Sequence, residues 1–241
     1  MSDESISAPP GPRACQAAAW LDIAADEKAE SVMRLSPPDV GSIIDIGCGT
    51  GAVLAALDRR GFGDTYWACE PSNELATCIP SLAKLAEVEV APFDEAFHGR
   101  SFDLAILSHV VEHVRAPGAL IAQALDRARY VLVEVPIEAT FVTRTRTRGR
   151  DRSVNNRSGH VHFFSESDAR KLISVAGGEI LGERAYFPFA PYRHLARGAP
   201  QKLVLALAGR FERLARYHYE HFAILATART FKEWDHLYPK P

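Results

Sequence analysis

Ile43-Ile44-Asp45-Ile46-Gly47-Cys48-Gly49-Thr50-Gly51 is the stretch on which the fold turns. Residues 42–46 are a short apolar run with β-branched side chains, the pattern of a buried strand. The glycines break that strand, and 52–60 then reads as a helix stopped by Gly61. Glycines at such a junction let the backbone turn tightly and approach a ligand without a Cβ in the way. The helix end beyond them offers free N–H groups. Gly47-x-Gly49-x-x-Ala52 also fits the dinucleotide fingerprint, so the glycines alone leave the ligand open. Two acids bear on the choice. Asp45, at the mouth of the strand, can accept from an amino group but would repel a pyrophosphate. Glu70 ends a second strand, where a carboxylate can accept both hydroxyls of a ribose. Ribose is common to both ligand types, so Asp45 tips the balance toward a cationic, phosphate-free cofactor.

Outward from this loop, strands alternate with helices. Residues 65–70, 88–90, 102–108 and 130–135 read as further strands, and 117–127 as a helix. Ser72 is a candidate cap for a helix that follows it, with Glu74 in its first turn. Near-continuous apolar strands separated by helices predict a doubly wound α/β domain with a mostly parallel sheet covered on both faces. Toward the C-terminus, 165–176 reads as a helix, 179–187 as a strand, 201–217 as an amphipathic helix and 221–228 as a last strand. That return suits an antiparallel edge pair. A helix is also expected over 14–35. Residues 1–13 read as a disordered tail. The remainder, 14–241, is expected to be one domain, with a polar connection over 136–160 and C-terminal additions over 188–220.

At this point the sequence resembles the class I S-adenosylmethionine (SAM)-dependent methyltransferases. The matching pieces are DIGCGTG at 45–51, ACEPS at 68–72, PFDEAF at 92–97 and FDLAILSHVVEHV at 102–114. The resemblance implies a Rossmann-like seven-stranded sheet whose last strand is antiparallel, and SAM as cofactor. Carried over, it places Asp45 and the backbone of Gly47, Cys48, Gly49 and Gly51 at the amino-acid end of SAM. Glu70, followed by Pro71, would hold the ribose. Phe93 or Asp94 would flank the adenine, and Ser108 with His109 would back the methionine.

Histidines supply the candidate chemistry. If 108–113 starts a helical turn, His109, Glu112 and His113 share one face at spacings of three and four. They can be read as a general base for a hydroxyl acceptor, as a divalent-metal set completed by a later histidine, or as loop anchors. A similar ExxEH site occurs in small-RNA 3′-end and quinone-pathway methyltransferases, but here His109 stands where those families have a carboxylate. That lowers the charge and disfavours Mg²⁺, so a metal is the secondary reading. Gly159-His160-Val161-His162 precedes a helix that Ser165 can cap. His160 is expected to face the site, and His162 to contact substrate or anchor the loop.

Of 28 basic residues, 22 are Arg and 6 Lys, and five Arg alternate from Arg144 to Arg152. In an extended segment Arg144, Arg146 and Arg148 would point to one side, and their forks suit phosphate or carboxylate. The acceptor is therefore expected to be a small, anionic molecule. Residues 134–138 (EVPIE) resemble a segment of methyltransferases encoded among sugar and polysaccharide genes, which points to a sugar, nucleotide-sugar or secondary metabolite. Methyl transfer to a hydroxyl or amine is the expected reaction. The competing readings are an RNA 3′-end methyltransferase with a divalent metal, a non-catalytic SAM-binding regulator and an NAD-linked enzyme. A net charge of −2 argues against coating nucleic acid. Cys15, Cys48, Cys69 and Cys78 form no CxxC pair and read as free thiols of a reducing cytoplasm. No apolar stretch reaches membrane-spanning length. Aromatics near the C-terminus could form a lid or a homodimer face.

Overall fold

Seven strands form one sheet in the order β3-β2-β1-β4-β5-β7-β6 in the computed structural model, which describes residues 15, 24–137, 159–186 and 221–229. The elements are α1 (Ala25–Leu35), β1 (Ser42–Ile46), α2 (Ala52–Arg59), β2 (Thr65–Cys69), α3 (Asn73–Ala76), β3 (Leu85–Glu89) and β4 (Phe102–Ser108), then α4 (Pro117–Arg127), β5 (Ala128–Pro136), α5 (Glu166–Val175), β6 (Gly178–Tyr186) and β7 (His221–Ala228). Strands β1 to β5 pair in parallel. Strand β7 slots antiparallel between β5 and β6. The expected doubly wound Rossmann-like sheet is therefore the observed one.

The central strands are apolar on both faces because helices cover both. On one side Ile44, Ala105, Leu107, Val131 and Val133 meet Ile121, Leu125 and Ile173 of α4 and α5. On the other, Ile43, Leu104, Ile106 and Leu132 meet Val32 of α1 and Leu54 and Leu57 of α2. Burying one Leu or Ile of this kind contributes about 1.5–3 kcal/mol. At the N-terminal end of the sheet, Asp103 Oδ2 accepts from the Ser42 N–H at 2.7 Å and the Ser42 hydroxyl at 2.8 Å, fixing β4 beside β1. The opposite, C-terminal end is left for the glycine loop and the histidines. Ser72 caps α3 through the Leu75 N–H, and Ser165 caps α5 in a capping box with Asp168.

Three expectations change. Strand β3 is Leu85–Glu89, three residues earlier than its apolar letters suggested; Lys84 O already accepts from the Tyr66 N–H and draws 85 into the ladder. The helix expected over 14–35 is interrupted at Ala24, which adopts a left-handed φ of 69°, and α1 runs from Ala25, while Cys15 is helical and 16–23 lie outside the described residues. Cys15 and Cys78 are not free thiols but a disulfide, across 63 residues of chain. Only Cys48 and Cys69 are free, so thiol chemistry no longer argues for a reducing compartment. The tail 1–13, the connection 138–158, the additions 188–220 and the helix expected over 201–217 lie outside the described residues. No helix among the described residues is long and apolar enough to cross a membrane.

Candidate active site

The glycine loop is shaped by its own backbone. Gly47, Gly49 and Gly51 all have positive φ, between 57° and 73°. A Cβ on Gly47 would lie 2.9 Å from Val110 Cγ2, and one on Gly51 would lie 2.8 Å from Ile79 Cγ2. Side chains are therefore excluded at both places by strain and by contact. The Gly47 N–H bonds Cys69 O at 2.8 Å, holding the loop against the end of β2.

Glu70 bridges this loop to the next element. Its Oε2 accepts from the Gly49 N–H and its Oε1 from the Ser72 N–H, each at 2.9 Å. Each oxygen keeps a second lone pair for a hydroxyl donor. Asp45 is buried, and its Oδ2 has no hydrogen-bond partner among the described residues. Burial pushes its carboxyl up to about 7, with Lys28 pulling back and Glu70 adding to the rise. A buried carboxylate short of donors, beside a cradle of bare backbone, suits a ligand carrying positive charge. Cys48 sits half-buried in the loop, and burial raises its thiol far out of the reactive range.

Phe93 and Asp94 separate. Phe93 is in the core under Arg127, whose Cζ lies 4.2 Å from the ring centroid. Asp94 is exposed, as is Pro71. Arg127 also donates to the carbonyls of Phe93, Ala96 and Phe97, so it anchors this loop and is not available to a ligand.

Residues 109–114 form turns, and α4 starts only at Pro117. The helical face expected for His109, Glu112 and His113 is replaced by two adjacent clusters. His109 takes a φ of 59°, a left-handed conformation that costs a non-glycine residue about 1–2 kcal/mol. Its ring enters the first cluster. Nδ1 is 3.2 Å from Glu112 Oε1, and Nε2 is 2.9 Å from His221 Nδ1 and 3.4 Å from Glu134 Oε1. Fully buried Glu134 also accepts from the Ser108 hydroxyl at 3.3 Å and from the Tyr186 hydroxyl at 2.9 Å. Burial alone would neutralise Glu134, but His109 and His221 outweigh it and hold the carboxyl well below the usual range. Burial and Lys28 oppose charge on His109, yet Glu112 and Glu134 prevail and raise its pKa. His221 is lowered, first by burial. The cluster thus carries a charged His109 between two carboxylates, with neutral His221 alongside. Both His109 nitrogens are spent inward.

The second cluster is Glu112, His113 and His160, each with a candidate ligand atom within 4.8 Å of the others. The rings of His113 and His160 meet edge to face at 4.9 Å between centroids. Three hydrogen bonds pin the later loop here. The N–H groups of Val161 and His162 donate to Glu112 O at 2.8 and 3.1 Å, and His162 Nε2 lies 3.0 Å from Val114 O. His162 is thus a loop anchor. The Ile137–Phe164 bridge continues the contact along the end of β5. Arg144, Arg146 and Arg148 lie outside the described residues.

Glu134 entered the sequence reading only within the EVPIE segment and Tyr186 only among the C-terminal aromatics; neither they nor His221 were read as site residues. The signal for Glu134 was present, since an acid inside a fully apolar strand needs partners. His221 and Tyr186 gave none, because each is brought in only by the pairing of β7 with β5 and β6.

Residues 20–181 match the family described as a methyltransferase domain. The chain belongs to that family. Its architecture is shared with solved structures at low identity. A Haloferax volcanii protein in complex with the Trm112 methyltransferase activator is 13% identical, with a TM-score of 0.65 over 90% of this chain and 94% of that one. A SAM-dependent methyltransferase from Archaeoglobus fulgidus is 14% identical, with a TM-score of 0.56 over 84% and 93%. The plantazolicin methyltransferase BpumL in complex with SAH is 13% identical, with a TM-score of 0.55 over 92% of each chain. Curated proteins gave no match. The orphaned Asp45 oxygen, the bare glycine cradle and the spare lone pairs of Glu70 fit SAM, the cofactor that the sequence resemblance implies. Asp45 and the 47–51 backbone would hold the amino-acid end, and Glu70 the ribose. Bound SAM supplies an activated methyl group on a sulfonium.

Proposed function

We propose that this methyltransferase acts on a hydroxyl or amine of a small, anionic molecule such as a sugar, nucleotide-sugar or secondary metabolite. The observation that carries the reading is the His113–His160 pair. His113 follows β4 on a segment whose Val110 lies against Gly47, and His160 meets it from a later loop. This supports reading the imidazoles as neighbours of the methyl-donor loop. A sulfonium needs only an aligned nucleophile and exclusion of water. Proton-removing groups are useful only when the acceptor carries a proton to lose, as a hydroxyl or ammonium does. His109 supports the reading differently. Locked between Glu112 and Glu134, it stiffens the wall beside the pair and is unsuited to collecting a proton. The arginines of 144–148 are assigned to the anionic part of the acceptor on their sequence pattern.

The test is SAM-dependent mass gain across a panel of phosphorylated and carboxylated sugars and metabolites. His113→Ala and His160→Ala should each lower turnover about 100-fold with SAM Kd unchanged. Unchanged turnover in both removes the acceptor-activating role. SAM binding with no methylated product from any acceptor favours the regulator.

A further inference from the structure

Glu112 shares one charged partner, His109, with Glu134. Its side chain is fully buried, and neither carboxylate oxygen makes an aligned hydrogen bond among the described residues. Oε1 has a close ion-pair contact with His109 at 3.2 Å. Oε2 has no such contact among the described residues. Leaving a carboxylate oxygen without a donor inside a protein is expensive, and the fold has placed two imidazoles on the same spot. His160 is brought there by the loop pinned to Glu112 O and Val114 O. Exposed His113 comes from the turn after β4.

The neighbouring trio of His109, Glu134 and His221 also has ligand-type atoms close together. There the donors and acceptors are matched to one another and to Tyr186 and Ser108, so an ion would have to break existing bonds. Around Glu112 an ion would meet carboxylate oxygens that make no aligned hydrogen bond among the described residues.

We propose that Glu112, His113 and His160 form a binding site for one divalent cation of the Zn²⁺ type. One carboxylate and two imidazoles suit Zn²⁺, Co²⁺ or Ni²⁺, whereas Mg²⁺ and Ca²⁺ favour sets made of oxygen. Ligand atoms around tetrahedral Zn²⁺ lie about 3.3 Å apart, since each bond is about 2.0–2.1 Å long. The separations of up to 4.8 Å close by rotation of exposed His113. Three protein ligands leave a position facing solvent, suited to an oxygen of the acceptor. That role rests on the methyl-transfer reading above but gives activation of the acceptor to the ion in place of the free imidazoles; binding of the ion does not depend on it.

The experiment measures metal without acceptor. Metal-free protein is titrated with Zn²⁺ by calorimetry and with Co²⁺ by visible absorption. The expected result is one ion per chain and the intense bands of four- or five-coordinate Co²⁺. His113→Ala and His160→Ala should each weaken Zn²⁺ binding at least about tenfold. Glu112→Gln should do the same while keeping the shape of the buried side chain. His98→Ala, before the opposite end of β4, is the control and should bind as the wild type does. Retained SAM binding shows that each variant is folded. No stoichiometric Zn²⁺ binding, or equal binding in His113→Ala, His160→Ala and wild type, overturns the site. Loss of turnover in these variants without any metal binding leaves the histidines as bases and removes the ion. Metal binding with no methylated product keeps the site and removes the proposed reaction.

Discussion

At the scale of single residues, buried Asp45 carries a stability cost that a cationic ligand would offset. Its carboxyl titrates near 7, against 3.8 for an exposed one. Between those values the folded protein holds a proton that the unfolded chain has released. The stability contributed by Asp45 therefore falls as pH rises from about 4 to 7, and above 7 a buried charge remains. Asp45→Asn keeps the shape and removes that charge. At pH 8 it should be more stable than the wild type by about 1–2 kcal/mol, a rise of a few degrees in Tm. It should also lose the Tm increase that SAM gives the wild type. Wild-type SAM affinity should weaken about tenfold per pH unit below 7, since the cationic ligand prefers the ionised form. Thermal shift and calorimetry across pH check both; a SAM Kd that is flat with pH, or normal in the Asn variant, refutes the role. The placement of Asp45 and Glu70 was legible in the sequence because each acid stands at the C-terminal end of an apolar strand run, Asp45 just before the glycines and Glu70 one strand later. Phe93 was not, because only the packed structure shows Arg127 closing over its ring.

At the scale of elements, the ends of β4, β5, β6 and β7 are tied by one carboxylate. Glu134 is the sole acid in the buried run of β5, and it gathers Ser108, His109, Tyr186 and His221. Removing it leaves a charged histidine and a buried phenol without their acceptor. Glu134→Ala should cost about 3–5 kcal/mol, as breaking a buried pair does, read by urea unfolding at pH 7. Glu134→Gln should cost less, because an amide oxygen still accepts from Tyr186. The pKa of Glu134 lies well below 4.5, so its stabilisation is complete above about 4.5 and is lost as pH falls further. The gap between wild type and Glu134→Gln should therefore narrow on acidification below 4.5, and a constant gap would show that Glu134 is not the ion the geometry makes it. The strands themselves were readable from apolar runs bounded by turn residues. Their partners were not. The bond between Glu134 and His221 spans 87 positions and exists only because β7 inserts between β5 and β6. Strand β3 was misplaced for a related reason: Glu87 and Glu89 are polar letters in an edge strand, so pairing with β2, and not hydrophobicity, sets its start.

At the scale of the whole molecule, two kinds of charge fall in different stretches of the chain. Parallel β1, β2 and β4 deliver Asp45, Glu70 and the glycine loop to one end of the sheet. Strands β5, β6 and β7 deliver Glu134, Tyr186 and His221 to the same end. The carboxylates near β1 and β2 suit a cationic cofactor, while the arginines follow β5, in the connection that begins after Ile137. A net charge of −2 conceals this division, which is why bulk charge alone gave no hint of an anionic acceptor. If the division is functional, cofactor and acceptor should respond separately to charge removal. Replacing Arg144, Arg146 and Arg148 together with Gln should raise acceptor KM several-fold, by losing bidentate contacts to phosphate or carboxylate. SAM Kd should stay within twofold, because its partners are acids on other strands. Added salt should raise the wild-type acceptor KM and affect the triple variant less, since fewer charges remain to be screened. Steady-state kinetics at two ionic strengths measure all three effects. An unchanged acceptor KM in the triple variant would return the arginine run to the role of a solvated connection and leave acceptor choice to His113 and His160.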